Sequence, residues 1–151
     1  MILVLNLCNP GLFAQVKEPL LRILLEDEAG LSAYKLKNKA LVKEFYSLAG
    51  YKAVWTEHSD TTNLALLRTM LGNAGHVGLE TMDYQKKISD KNKDDVLHAE
   101  LLYTDAAMHF FSDMAFGNRK PDFGFDGLKY GMDCYNIPSL LSQYVLGKRL
   151  Q

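Results

Sequence analysis

The sequence predicts an all-α, or nearly all-α, fold: a compact helical bundle around one long central helix, joined by short extended and irregular segments. Three observations carry that prediction. Apolar residues recur at the three-to-four spacing of a helix face in several separate segments. Pro19, Gly30, Gly50 and Pro138 stand where such segments would begin or end. The stretch from about Asp94 to Phe116 is apolar around most of its circumference, as a helix in the middle of a bundle must be.

The elements follow in order. Pro19 suits the first turn of a helix, and Leu20, Leu21, Ile23, Leu24 and Leu25 give it a broad apolar face with Gly30 as its stop. A second helix begins near Asn38, with Leu41, Val42, Phe45, Leu48 and Ala49 on one side, and Gly50 ends it. "YKAVWT" is too short for a helix and rich in aromatic and β-branched residues, so it reads as an extended segment that delivers Trp55 to the core. "SDTTN" offers N-caps for a third helix, in which Leu64, Leu67, Met70, Leu71 and Ala74 keep the period until Gly72, Gly75 and Gly78 break it. "SDKNKDD" leads into the long helix, with Asp94 and Asp95 placed for its positive N-terminal end. Gly117 and Asn118 close that helix, a glycine-rich irregular segment follows, and Pro138 opens the last helix.

At 151 residues the chain fits one domain with a real core. Lys and Arg number 17 against 18 Asp and Glu, a balance that argues against nucleic acid as the main partner. Residues 1–15, "MILVLNLCNPGLFAQ", form an apolar signal-like segment with Ala14 as the last residue before a cut, leaving 16–151 as the helical domain. No Lys or Arg precedes the apolar run, and Asn6, Asn9 and Pro10 interrupt it, so a first strand or buried arm is the alternative. The segment is too short and broken to span a membrane.

Candidate chemistry concentrates on the long helix. His98, Asp105 and His109 are spaced by seven and four, which puts them on one helical face. Two turns, roughly 10 Å, separate His98 from Asp105, so only Asp105 and His109 could share an ion. The simpler reading has Asp105 buried or half-buried and accepting hydrogen bonds from a neighbouring segment. Asp90, Asn92 and Asp94 mimic the start of a calcium loop, but Asp95 stands where glycine is needed and Leu101 where glutamate is needed. Asp122–Gly124 matches the kinase magnesium motif by letters alone. Two cysteines, Cys8 and Cys134, make neither a disulfide scaffold nor a four-ligand zinc site. Cys134 is the likeliest nucleophile if the chain is an enzyme, although no histidine stands near it in sequence. Phe123, Phe125 and Tyr130 mark where an exposed interaction patch would lie. No catalytic residue, metal ligand or cofactor site is expected.

Several residues taken together carry a resemblance. Phe45 and Tyr46 close a helix; Trp55 follows on a short segment; Gly78, Leu79, Asp83 and Tyr84 come after the next helix. Leu102, Thr104, Asp105 and Ala106 lie on the long helix, with Gly117, Arg119 and Pro121 at its exit. In order and spacing these residues resemble the scaffold domain of the large Gram-negative L,D-transpeptidases, over roughly residues 20–125. The resemblance implies a helical domain of the cell envelope, exported to the periplasm. Its implied partners are a catalytic transpeptidase domain, other cell-wall synthesis proteins and peptidoglycan. Two positions depart from the pattern: Tyr103 intervenes between Leu102 and Thr104, and Asn118 between Gly117 and Arg119. The Ser-His-Gly-Cys-type motif that carries the family's cysteine nucleophile is absent, and neither Cys8 nor Cys134 fits it. On this resemblance the chain is the scaffold module alone, as a fragment, a truncated gene or a stand-alone homologue, and is not itself an enzyme.

Overall fold

In the computed structural model, residues 18–56, 61–81, 84, 95–117 and 135–147 are described. They form an all-α fold with no strand among them. The helices are α1 (Glu18–Glu26), α2 (Glu28–Ser32), α3 (Lys39–Leu48), α4 (Thr62–Gly72), α5 (Val96–Phe116) and α6 (Ile137–Leu146), with a 3-10 turn at Ala74–Val77. α5 is the centre of the bundle: α3, α4 and α6 all pack on it, and α3 also packs on α6.

Burial explains that arrangement. Every residue from Glu100 to Met108 is buried, so two and a half turns of α5 have no solvent face. Leu101 and Met108 on α5 meet a single core with Leu21, Leu31, Phe45, Leu67, Leu71 and Tyr84, all fully or almost fully buried. Each such side chain contributes about 1.5–3 kcal/mol by leaving water.

Helix ends follow the side chains that can satisfy them. Asp95 caps α5 by accepting the His98 N–H at 3.0 Å, and Asn136 caps α6 by accepting the Ser139 N–H at 2.7 Å. Pro138 sits in the first turn of α6, where a missing N–H costs nothing. Gly117, at φ 79°, takes the chain out of α5.

One expectation is corrected. The first helix does not run to Gly30. Asp27 is extended (φ −84°, ψ 101°), its carboxylate accepts the Ala29 N–H at 3.0 Å, and α2 starts afresh at Glu28. A short acidic side chain that bonds its own neighbouring backbone competes with helix continuation, and here it wins. Gly30 then lies inside α2, where a Cβ would come within 2.5 Å of Asp27 Oδ2, so glycine leaves room for the cap rather than ending the helix. The short segment around Trp55 forms no strand or helix and buries Trp55 completely, delivering it to the core as expected. Its hydrogen bonds go to a side chain instead of a ladder.

Candidate functional site

The polar residues of α5 form a line of grips on the rest of the chain. The first is Glu100, fully buried. Its carboxylate accepts the backbone N–H groups of Val54 (2.7 Å), Trp55 (3.2 Å) and Thr56 (2.9 Å). The hydroxyls of Thr56 (2.8 Å) and Tyr46 (3.0 Å) complete the set. Three successive amides converging on one carboxylate make the kind of concavity that backbones use to hold anions. Burial pushes the Glu100 carboxyl above the usual carboxylate range, opposed by its Val54, Thr56 and Tyr46 donors. Burial, reinforced by the Glu100 charge, pushes the Tyr46 phenol well above its ordinary value, so Tyr46 stays protonated.

Thr104, one turn on, is also fully buried. Its hydroxyl lies 2.6 Å from Tyr46 Oη, accepts the Trp55 indole N–H at 2.8 Å, and donates to the Glu100 carbonyl at 3.0 Å. Tyr46, Trp55, Glu100 and Thr104 are therefore one hydrogen-bonded unit inside an apolar core. Among the described side chains no buried nitrogen or oxygen lacks a partner.

Asp105 is the second grip. It is fully buried and accepts the backbone N–H groups of Lys37 at 3.0 Å and Asn38 at 2.6 Å, at the entry to α3. Asn38 has no capping bond from its own side chain, so the N-terminus of α3 is capped from another helix. The third grip lies further along. His109 Nε2 is in contact with Lys37 Nζ and is 3.1 Å from Asp113 Oδ2, which also accepts the Tyr84 hydroxyl at 2.8 Å. The Tyr84 and His109 rings pack with centroids 4.9 Å apart.

The trio His98, Asp105 and His109 does not converge. His98 sets its ring edge-on against Tyr34 at 4.9 Å, Asp105 holds backbone amides, and His109 faces Lys37 and Asp113. Among the described residues no three His, Cys, Asp or Glu side chains are gathered as a metal would need.

Of the positions singled out in the sequence, Tyr46, Trp55, Tyr84 and Asp105 are fully buried, and Leu79 is half-buried against the core. Gly78 and Gly117 hold left-handed φ angles of 78° and 79° at the ends of the 3-10 turn and α5. Asp83, Arg119, Pro121 and Cys134 lie outside the described residues, as do Cys8, Asp90–Asp94, Asp122–Gly124, Phe125 and Tyr130. Glu100 is the residue that sequence reasoning missed. A glutamate in "AELLYTD", one turn before a threonine on a largely apolar helix, was the available signal.

A groove of about 380 Å³ runs between the C-terminal end of α5 and α6, lined by apolar side chains including Phe111, Met114, Leu140 and Tyr144. Among the described residues no helix is long and apolar enough to cross a membrane.

A family model described as a scaffold domain matches residues 40–151. No curated protein and no solved structure matches the chain.

Proposed function

The chain belongs to the scaffold-domain family, and from that premise we propose that it is the non-catalytic scaffold module of an L,D-transpeptidase-like protein in peptidoglycan biogenesis. The observation that carries this reading is the use made of the polar groups on α5. Glu100, Thr104 and Asp105 are fully buried, and each is committed to holding another segment of the chain. Groups held in that way position backbone and do not reach a substrate. Tyr46, Trp55, Thr104 and Asp105, four of the residues quoted for the transpeptidase resemblance, take part in this framework. The apolar residues 1–15 support export to the periplasm, with a cysteine transpeptidase domain as partner.

The test is to mix the purified chain with a cysteine L,D-transpeptidase domain and with isolated peptidoglycan, and to assay binding and stem-peptide cross-linking. Binding to that domain, with no cross-linking by the chain alone, is the expected result. Thiol-dependent cross-linking by the chain alone, abolished by Cys134→Ala, would overturn it in favour of a cysteine enzyme. Binding to neither component would point to an interaction module with a different partner.

A further inference from the structure

The polar unit in the core closes on itself. Glu100 Oε1 lies 3.0 Å from Tyr46 Oη, Tyr46 Oη lies 2.6 Å from Thr104 Oγ1, and Thr104 Oγ1 lies 3.0 Å from the Glu100 carbonyl oxygen. Two arrangements of protons satisfy every group in it. In the first, Glu100 is a carboxylate, the Tyr46 hydroxyl donates to it, and the Thr104 hydroxyl donates to Tyr46 Oη. In the second, Glu100 is a carboxylic acid whose Oε1–H donates to Tyr46 Oη, while the Tyr46 hydroxyl donates to Thr104 Oγ1. In the second the Thr104 hydroxyl turns to donate to the Glu100 carbonyl, and Thr104 Oγ1 has room to accept the Trp55 indole and Tyr46 together.

We propose that Glu100 takes up and releases a proton inside the folded core, the Tyr46 hydroxyl swinging between Glu100 and Thr104 as it does so. The proton comes from solvent and forms one O–H bond at Oε1; no other covalent bond changes. The Val54, Trp55 and Thr56 amides keep their acceptors in both forms, because a carboxylic acid still offers lone pairs on each oxygen. The groups facing Glu100 are Tyr46 from α3, Val54, Trp55 and Thr56 from the connecting segment, and Thr104 on its own helix. Among the described residues Tyr46 is the one titratable group facing it, and none of the groups acting on the Glu100 carboxyl there is a cation. Burial favours the acid while the Val54, Thr56 and Tyr46 donors favour the anion, with burial the larger influence. This makes Glu100 and its two hydroxyl neighbours a proton-uptake site that leaves the backbone where it is.

The experiment follows the Glu100 side-chain carboxyl carbon by NMR in the ¹³C-glutamate-labelled chain, assigned with Glu100→Gln. The expected result is a titration midpoint above that of the exposed glutamates, with the Val54–Thr56 amides still protected from exchange through the transition. Thr104→Val removes the nearer acceptor of Tyr46 when Glu100 is protonated, leaving only the Glu100 carbonyl at 3.3 Å. It should lower the midpoint by about one pH unit, about tenfold in proton affinity, while Thr104→Ser leaves it in place. A Glu100 carbon that titrates with the exposed glutamates would overturn the proposal, as would loss of amide protection during titration. Equal midpoints in the Val and Ser variants would do so as well. The wild-type and Ser measurements stand even if the Val variant does not fold.

Discussion

The Asp105 carboxylate stands 2.6 Å from the amide nitrogen of Asn38, a residue 67 positions away in the chain. With Lys37 held at 3.0 Å by the same carboxylate, one helix supplies the cap of another. Truncating Asp105 to alanine strands two amides at a part-buried helix start. The expected cost is about 1–3 kcal/mol in urea unfolding, with Asp105→Asn less damaging because it keeps one acceptor. An alanine variant as stable as the parent would remove Asp105 from this structural role.

Glu100→Ala should be more harmful, at about 3 kcal/mol or more, because it leaves three amides and the Thr56 hydroxyl without their acceptor. The single tryptophan reports on the same place. Trp55 is fully buried with its indole N–H on Thr104. Its fluorescence should be blue-shifted in the parent and move to the red in the native state of Glu100→Ala. An unchanged spectrum in a destabilised variant would show that the 54–56 segment stays docked without Glu100.

The sign of the pH dependence is fixed by the direction of the Glu100 shift. A carboxyl raised by burial binds its proton more tightly in the folded chain than in the unfolded one. Its stabilising share is fully present below the ordinary glutamate value of about 4.3 and is lost as pH rises through the folded value. Glu100→Gln is neutral throughout. The parent should therefore lose stability relative to Glu100→Gln across that window, measured by denaturant titration at stepped pH. A parent that instead gains stability over Glu100→Gln as pH rises would mean that the donors outweigh burial.

Glu28 behaves in the opposite sense on the surface. Hydrogen bonds and charge from Lys39 and Lys43 hold its carboxyl down to about 2. The tie it makes between α2 and α3 is present above the ordinary glutamate value and lost as pH falls toward about 2. The site is open to solvent, so salt should weaken the tie at neutral pH. Glu28→Gln should abolish the salt effect on stability at this site; an equal salt response in parent and variant would dismiss the tie.

Helices were legible because the apolar period survives in the sequence: the long helix was placed from about Asp94 to Phe116 and runs Val96–Phe116. The break at Asp27 was hidden because a two-residue side-chain cap leaves no trace in that period. Asp105 was legible as a buried acceptor, since a charge in the middle of an apolar helix has to be satisfied by something. Its partners were not, because Lys37 and Asn38 are brought to it only by the packing of α3 on α5. Glu100 was overlooked for a related reason: attention to reactive groups sharing one face passed over a carboxylate whose donors lie 44 to 54 residues upstream.

Glu100 and Asp105 are five residues apart on one helix, so their side chains leave the axis about 140° apart and about 7.5 Å along it. Each is pinned to a different stretch of chain, Glu100 to 54–56 and Asp105 to 37–38. A slip of α5 by a single residue would turn it by about 100° and pull both carboxylates out of reach together. The pair acts like two keys cut into one shaft, locking its rotation and its axial position at once.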